Sequence, residues 1–143
     1  MNRLKFISIL LIGLILSSFA LIATPKTSVK ITRFMIAKAG SQIIEYEDGQ
    51  VMKVITNRYP LAYKLHANQN NKLLEEFKNI DKVQLTDELE KLPEINKGVY
   101  PKIYYKIITD ADTITTKEFF LQSMPNQLKK MDKLLLMYSS GTY

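Results

Sequence analysis

The sequence predicts an α+β domain in which an antiparallel sheet of four or five strands carries two helices packed on one face. Strand-forming runs occur in pairs around two turns, and two other segments repeat apolar residues at helical spacing, which gives the order hairpin, helix, hairpin, helix. Each predicted helix has a single apolar stripe, so one face of one sheet can bury both helices. The opposite face of the sheet would then be exposed to solvent or used for binding.

The first strands are indicated by β-branched and aromatic residues. They predict a strand that begins at Val29 and ends at Ala37, followed by a hairpin. The dipeptide Asp48-Gly49 favours a two-residue type I′ turn, because both of its residues tolerate positive φ. In that register Tyr46 lies opposite Val51.

The middle of the chain predicts a connecting stretch over residues 57–69 and then a helix from Asn70. A short second helix is expected to be capped by Thr86 and stopped by Pro93. The first of these helices has an apolar face made of Leu73, Leu74, Phe77 and Ile80.

The C-terminal third predicts a second hairpin, with strands over residues 102–109 and 113–121. A final helix should follow, with Ser123 as a candidate N-cap and Gly141 as the left-handed residue after its end. Residues at alternating steps of four and three should face the sheet; they are Met124, Leu128, Met131, Leu135 and Tyr138.

The N-terminus predicts export. An apolar run begins at Phe6 and ends at Ala23 behind two basic residues, the arrangement of a secretory signal peptide with a cleavage site after Ala20. The same run is nearly long enough to span a bilayer, so an uncleaved membrane anchor is the alternative. We therefore expect residues 1–23 to be a signal peptide or N-terminal membrane anchor, and residues 24–143 to form a single domain.

Composition limits the classes of function. Two of the 20 basic residues lie in the leader, which leaves 18 against 14 acidic residues, an excess too small and scattered for a dedicated nucleic-acid binder. The chain has no cysteine, so neither a disulfide nor a lipidated cysteine is available, and its own core must stabilise it.

Residues that often carry chemistry form no complete motif. His66 is the only histidine and lies in a predicted loop. Asp110 and Asp112 begin a calcium-loop spacing whose remaining ligands are absent. Glu45 and Glu47 lie on one side of a strand, where charges exposed to solvent are the simpler interpretation. We therefore predict no catalytic residues, no metal and no cofactor.

The segment "VYPKIYYKII" is the best candidate for a binding surface. Strand alternation places Lys102, Tyr104 and Lys106 on one side of the strand, and we call these three residues the Lys-Tyr strip. Basic and aromatic side chains on an open sheet face suit a protein partner. An ordinary sheet face, with tyrosines packed over neighbouring strands, is the alternative.

These features together predict an exported, non-enzymatic module, periplasmic or extracellular, that binds another extracytoplasmic protein; a secreted protease inhibitor is a special case. The first alternative is a membrane-anchored accessory subunit of an envelope complex, with its domain outside the membrane. The second is a small hydrolase that uses His66, Glu45 and Glu47. The sequence identifies neither the partner nor the oligomeric state.

Overall fold

The computed structural model describes residues 28–96 and 98–141, which form an α+β fold with an antiparallel sheet. The predicted leader lies outside the described residues. The strands are β1 (Val29–Ala37), β2 (Gly40–Glu47), β3 (Gln50–Ile55), β4 (Leu61–Lys64), β5 (Lys102–Thr109), β6 (Thr113–Thr115) and β7 (Phe119–Phe120). The helices are α1 (Ala67–Lys78), α2 (Lys82–Glu90) and α3 (Asn126–Tyr138), and a 3₁₀ turn (Leu121–Ser123) precedes α3.

The sheet has the strand order β4-β3-β2-β1-β5-β6, and β7 also pairs with β5. The first four strands follow one another as a meander, and β5 returns to pair with β1. The prediction of four or five strands and two helices was therefore too small, since the described part of the chain has seven strands and three α-helices. Because β1 has a partner on each side, it is a central strand with no open edge.

The first hairpin and the end of the last helix have the predicted backbone. Asp48 and Gly49 have φ values of 48° and 79°, so both central residues of the turn are left-handed. The ladder places Tyr46 opposite Val51, as predicted. After α3, Gly141 has a φ of 68°, which is the left-handed conformation expected there.

Two predictions about strands were wrong. The stretch predicted as a connection contains β4, a short edge strand that pairs with β3. The long strand predicted over residues 113–121 is split into β6 and β7. The split occurs because Thr116, which lies between them, pairs with β5 partly through its side chain. Its backbone N–H donates to the carbonyl of Tyr105 (3.0 Å), while its Oγ1 accepts from the N–H of Tyr105 (2.9 Å). The hydroxyl replaces a backbone acceptor, which interrupts the regular pairing.

The cap of α2 also differs from the prediction. Asp81 is the N-cap, and its Oδ1 accepts from the N–H groups of Val83 (2.9 Å) and Gln84 (3.1 Å). Thr86 lies inside the helix, where its hydroxyl donates to the carbonyl of Lys82 at 2.9 Å. The carboxylate of Asp81 satisfies two of the free N–H groups at the start of the helix, which explains the earlier start.

The two longer helices have shifted starts. Helix α1 begins at Ala67 after the N-cap His66, three residues before the predicted Asn70. Helix α3 follows Pro125 as its N-cap, and the predicted cap Ser123 belongs to the 3₁₀ turn. Proline suits such a position because it has no backbone N–H to satisfy.

One hydrophobic core joins the sheet to the helices. Alternate residues of the central strands are buried with the apolar stripes of α1, α2 and α3, and the predicted stripe of the last helix is buried throughout. The strand residues of this core are Val29, Ile31, Ile44, Tyr46, Val51, Ile103, Tyr105, Ile107 and Phe119. Each described α-helix contributes buried residues to this core, so none of the three covers the other face of the sheet.

Candidate functional site

The face of the sheet opposite the helices is the candidate site, and we call it the open face. Strand alternation assigns its residues, because their neighbours in sequence point into the core. Its central part consists of Lys30, Thr32, Phe34 and Ile36 from β1, Ile43, Glu45 and Glu47 from β2, and Lys102, Tyr104 and Lys106 from β5.

The structure places the whole Lys-Tyr strip on the open face. The ring of Tyr104 stacks on Phe34, with ring centroids 4.4 Å apart and ring planes 6° from parallel. The Nζ of Lys102 lies 3.0 Å from a carboxylate oxygen of Glu118. Lys106 is exposed and makes no ion pair with any described residue. The strip therefore presents the stacked ring of Tyr104 and the exposed cation of Lys106.

The acidic residues of the open face are held by a lysine of the adjacent strand. The Nζ of Lys30 lies 2.9 Å from Glu45 Oε1 and 3.1 Å from Glu47 Oε2. The hydrogen bonds to Glu45 and then Glu47 raise the pKa of Lys30 above its ordinary value. Glu45 and Glu47 of β2 therefore form one charge cluster with Lys30 of β1.

The register aligns these charges across the sheet. Thr32 of β1 is the ladder partner of Glu45 on one side and of Lys106 on the other. We call such a set of residues paired across the strands a row. In this row the open face is acidic at Glu45 on β2, uncharged at Thr32 on β1 and basic at Lys106 on β5. An apolar and aromatic row lies next to it, formed by Ile43, Phe34 and Tyr104.

The remaining candidates are spread over the surface. His66 is exposed at the start of α1, and its backbone N–H donates to Gln69 Oε1 at 2.8 Å. Asp112 pairs with Lys82 of α2 at 2.9 Å. The described residues contain no group of three or more acidic, histidine or cysteine side chains arranged to hold a metal ion. The structure does not bring these residues together into one site.

A buried polar cluster that was not predicted from the sequence lies beneath the sheet and is formed by Arg33, Tyr105 and Asp132. The Nε of Arg33 donates to Asp132 Oδ1 at 2.5 Å, and the Tyr105 hydroxyl donates a hydrogen bond to the same oxygen. The side chain of Arg33 is 2% exposed and that of Asp132 is 7% exposed. Burial, and then the nearby Asp132 charge, raise the pKa of Tyr105 well above its ordinary range.

The sequence did contain a signal for this cluster. Asp132 follows Leu128 by four residues and precedes Leu135 by three, so it falls within the apolar stripe of α3. Arg33 alternates with the buried Ile31 along β1. Two opposite charges at positions that point to the same core predict a buried ion pair.

A cleft of about 380 Å³ lies between the first hairpin turn and α1. Its walls include Leu74 and Phe77, and at its edge the Tyr46 hydroxyl donates to Asn70 Oδ1 at 2.7 Å. Burial raises the pKa of Tyr46. No residue of the open face lines this cleft.

Comparison with known proteins adds no assignment. No protein-family model, no curated protein and no solved structure matches this chain. Among the described residues, the three helices are all too short or too polar to cross a membrane.

Proposed function

We propose that this protein is an exported, non-enzymatic module that binds another extracytoplasmic protein through the open face of its sheet. The observation that carries the proposal is the one-sided packing of the fold. All three described α-helices bury their apolar stripes in one core, while the opposite sheet face keeps aromatic and aliphatic side chains that no described helix covers.

The composition of the open face suits a protein partner. Protein interfaces combine an apolar and aromatic centre with a polar rim, and tyrosine is enriched among the residues that contribute most to affinity. The stacked pair of Phe34 and Tyr104 lies in the apolar row, and Lys106 lies in the adjacent charged row. Stacking holds the Tyr104 ring in place, so little side-chain entropy is lost when a partner packs on it.

Export is supported by the leader. An apolar run follows a short basic segment, and the small residues Ser18 and Ala20 stand at the two positions that a signal peptidase reads. A partner would then be sought in the periplasm or outside the cell.

The test is capture of partners from envelope extracts with matched variants. Lys102→Glu with Lys106→Glu reverses the charge of the strip, and Lys129→Glu with Lys133→Glu makes the same change of charge on exposed positions of α3. We expect a specific partner to be retained by the wild type and the α3 variant and lost by the strip variant. Retention by the strip variant would overturn the assignment of this surface.

The apolar run also supports a second candidate, an accessory subunit anchored in the membrane by residues 6–23. The intact mass of the protein in soluble and membrane fractions separates the two candidates. A mass that lacks about 20 residues, in the soluble exported fraction, supports the diffusible module. A full-length mass in the membrane fraction supports the anchored subunit.

A further inference from the structure

The charges of the open face are arranged with opposite signs on the two sides of β1. In the row of Thr32, an acid (Glu45) lies one strand away on β2, and a base (Lys106) lies one strand away on β5. In the next row, Phe34 lies at the centre, between the aliphatic Ile43 on β2 and the aromatic Tyr104 on β5.

Such a pattern is complementary to itself under a two-fold rotation. If the axis runs along β1 between two facing sheets, the rotation exchanges the two sides of β1 and keeps each row at its own level. Glu45 of each copy then faces Lys106 of the other, and Phe34 faces its own counterpart. Lys30 also faces its own counterpart, and its charge is offset by Glu45 and Glu47 of its own chain. Sheets pack face to face about 10 Å apart with strands nearly aligned, so the side chains of opposite rows meet.

We infer that the open face pairs with the open face of a second copy of this chain to form a two-fold dimer. The inference rests on the binding surface of the proposed function and assigns it a further occupant, so self-association and partner binding compete for the same residues. A two-fold interface of this kind is closed and uses the same patch on both copies.

The extent of the face is sufficient for such a dimer. Counted as one spacing for each strand, the five adjacent strands from β3 to β6 cover a width of about 24 Å, and the seven residues from Lys30 to Ile36 cover a length of about 23 Å. The footprint is about 550 Å² on each copy, or about 1,100 Å² in total, which is near the lower limit for a specific interface. We therefore expect a reversible dimer of modest affinity.

The charge pattern also predicts which cation gains most from pairing. Lys102 and Lys30 already contact acids of their own chain, whereas Lys106 makes no ion pair with any described residue. Glu45 offers Lys30 one of its two carboxylate oxygens, which leaves Oε2 for a second cation. The dimer supplies Lys106 with the acid that its own chain does not.

The experiment measures self-association by analytical ultracentrifugation of the protein purified from producing cells, over concentrations up to about 1 mM. Lys106→Glu places two acids opposite each other, and Glu45→Lys places two bases opposite each other, at both symmetric contacts. Each variant alone should raise the dimer dissociation constant by about tenfold or more. Lys133→Glu, an exposed change of the same charge on α3, should leave it unchanged.

Mixing the two open-face variants gives the decisive result. In a mixed pair, the native Glu45 of the Lys106→Glu chain faces the native Lys106 of the Glu45→Lys chain. At the other symmetric contact, the two introduced side chains face each other, and they too have opposite charges. Both contacts become attractive again, so we expect the mixture to recover association as a heterodimer. Three results would overturn the inference. The wild type could stay monomeric at every concentration, the open-face variants could associate as well as the Lys133→Glu control, or their mixture could fail to recover association.

The proposed function can fail separately. If the protein does not self-associate but still captures another protein through the Lys-Tyr strip, the dimer is refuted and the binding module is supported. If the mixed variants recover association but no other protein is captured, the dimer is supported and the proposal of a different protein partner is refuted. Thermal unfolding of each variant confirms that the fold is intact before association is compared.

Discussion

Replacing Asp132 by leucine is expected to unfold or strongly destabilise the protein, because Asp132 is the counter-charge of a buried arginine. Its Oδ1 accepts hydrogen bonds from both Arg33 and Tyr105 beneath the sheet. The Asp132→Leu variant would leave the guanidinium of Arg33, 2% exposed, without an acid in contact. A buried charge without its partner is the costly outcome, and the loss of the ion pair's own attraction is the smaller part.

The size of the effect follows from these contacts. Breaking a buried ion pair by removing one partner costs about 3–5 kcal/mol, and the Tyr105 hydroxyl loses an acceptor worth about 1 kcal/mol. The expected loss in the free energy of unfolding is about 4 kcal/mol or more, against a total of about 5–15 kcal/mol for a domain. Asp132→Asn keeps a carbonyl acceptor for one donor and should lose less.

The double variant Arg33→Met with Asp132→Leu tests the reasoning. Removing both charges leaves no unpaired charge in the core, although the Tyr105 hydroxyl still lacks its acceptor, so the double variant should be more stable than Asp132→Leu alone. Urea unfolding followed by circular dichroism measures each free energy of unfolding. If the double variant loses the sum of the two single losses, the two residues act independently and the argument from an unpaired buried charge is refuted.

Three further predictions concern stability. Burial raises the pKa of Tyr105 above its ordinary 10.0, so above that pH the folded protein keeps a proton that the unfolded chain releases. The free energy of unfolding should therefore fall by about 1.4 kcal/mol per pH unit above about pH 10. Tyr105→Phe should flatten that slope in urea titrations at several pH values. Leu135→Ala removes a fully buried side chain and should cost about 2–5 kcal/mol, whereas Leu136→Ala, at a position 36% exposed, should cost much less in the same assay. Asp81→Ala should cost about 0.5–2 kcal/mol by removing the cap of α2, while Thr86→Ala inside that helix should stay within about 0.5 kcal/mol; equal losses would contradict the assignment of the cap.

Features fixed by neighbouring residues were predictable from the sequence. The first hairpin follows from Asp48-Gly49, because its turn requires positive φ at these two residues only. The stripe of the last helix follows from its spacing, and so do the bounds of β1 and β5. In these segments, local conformational preference and burial favour the same structure.

Features that depend on distant residues were not predictable in the same way. The strand β4 has only four residues behind a proline, and its pairing with β3 decides that it is a strand. The split between β6 and β7 depends on the Thr116 hydroxyl reaching the backbone of Tyr105. The alternation of Lys102, Tyr104 and Lys106 was predicted, but the stacking of Tyr104 on another strand required the strand order.

The central place of β1 has a consequence for the order of events during folding. The meander from β1 to β4 is continuous in sequence and can form while the rest of the chain is still being synthesised. The other edge of β1 must wait for β5, which begins only at Lys102. Until then the second edge of β1 has unpaired N–H and C=O groups, and an unpaired strand edge of this kind can pair with another chain.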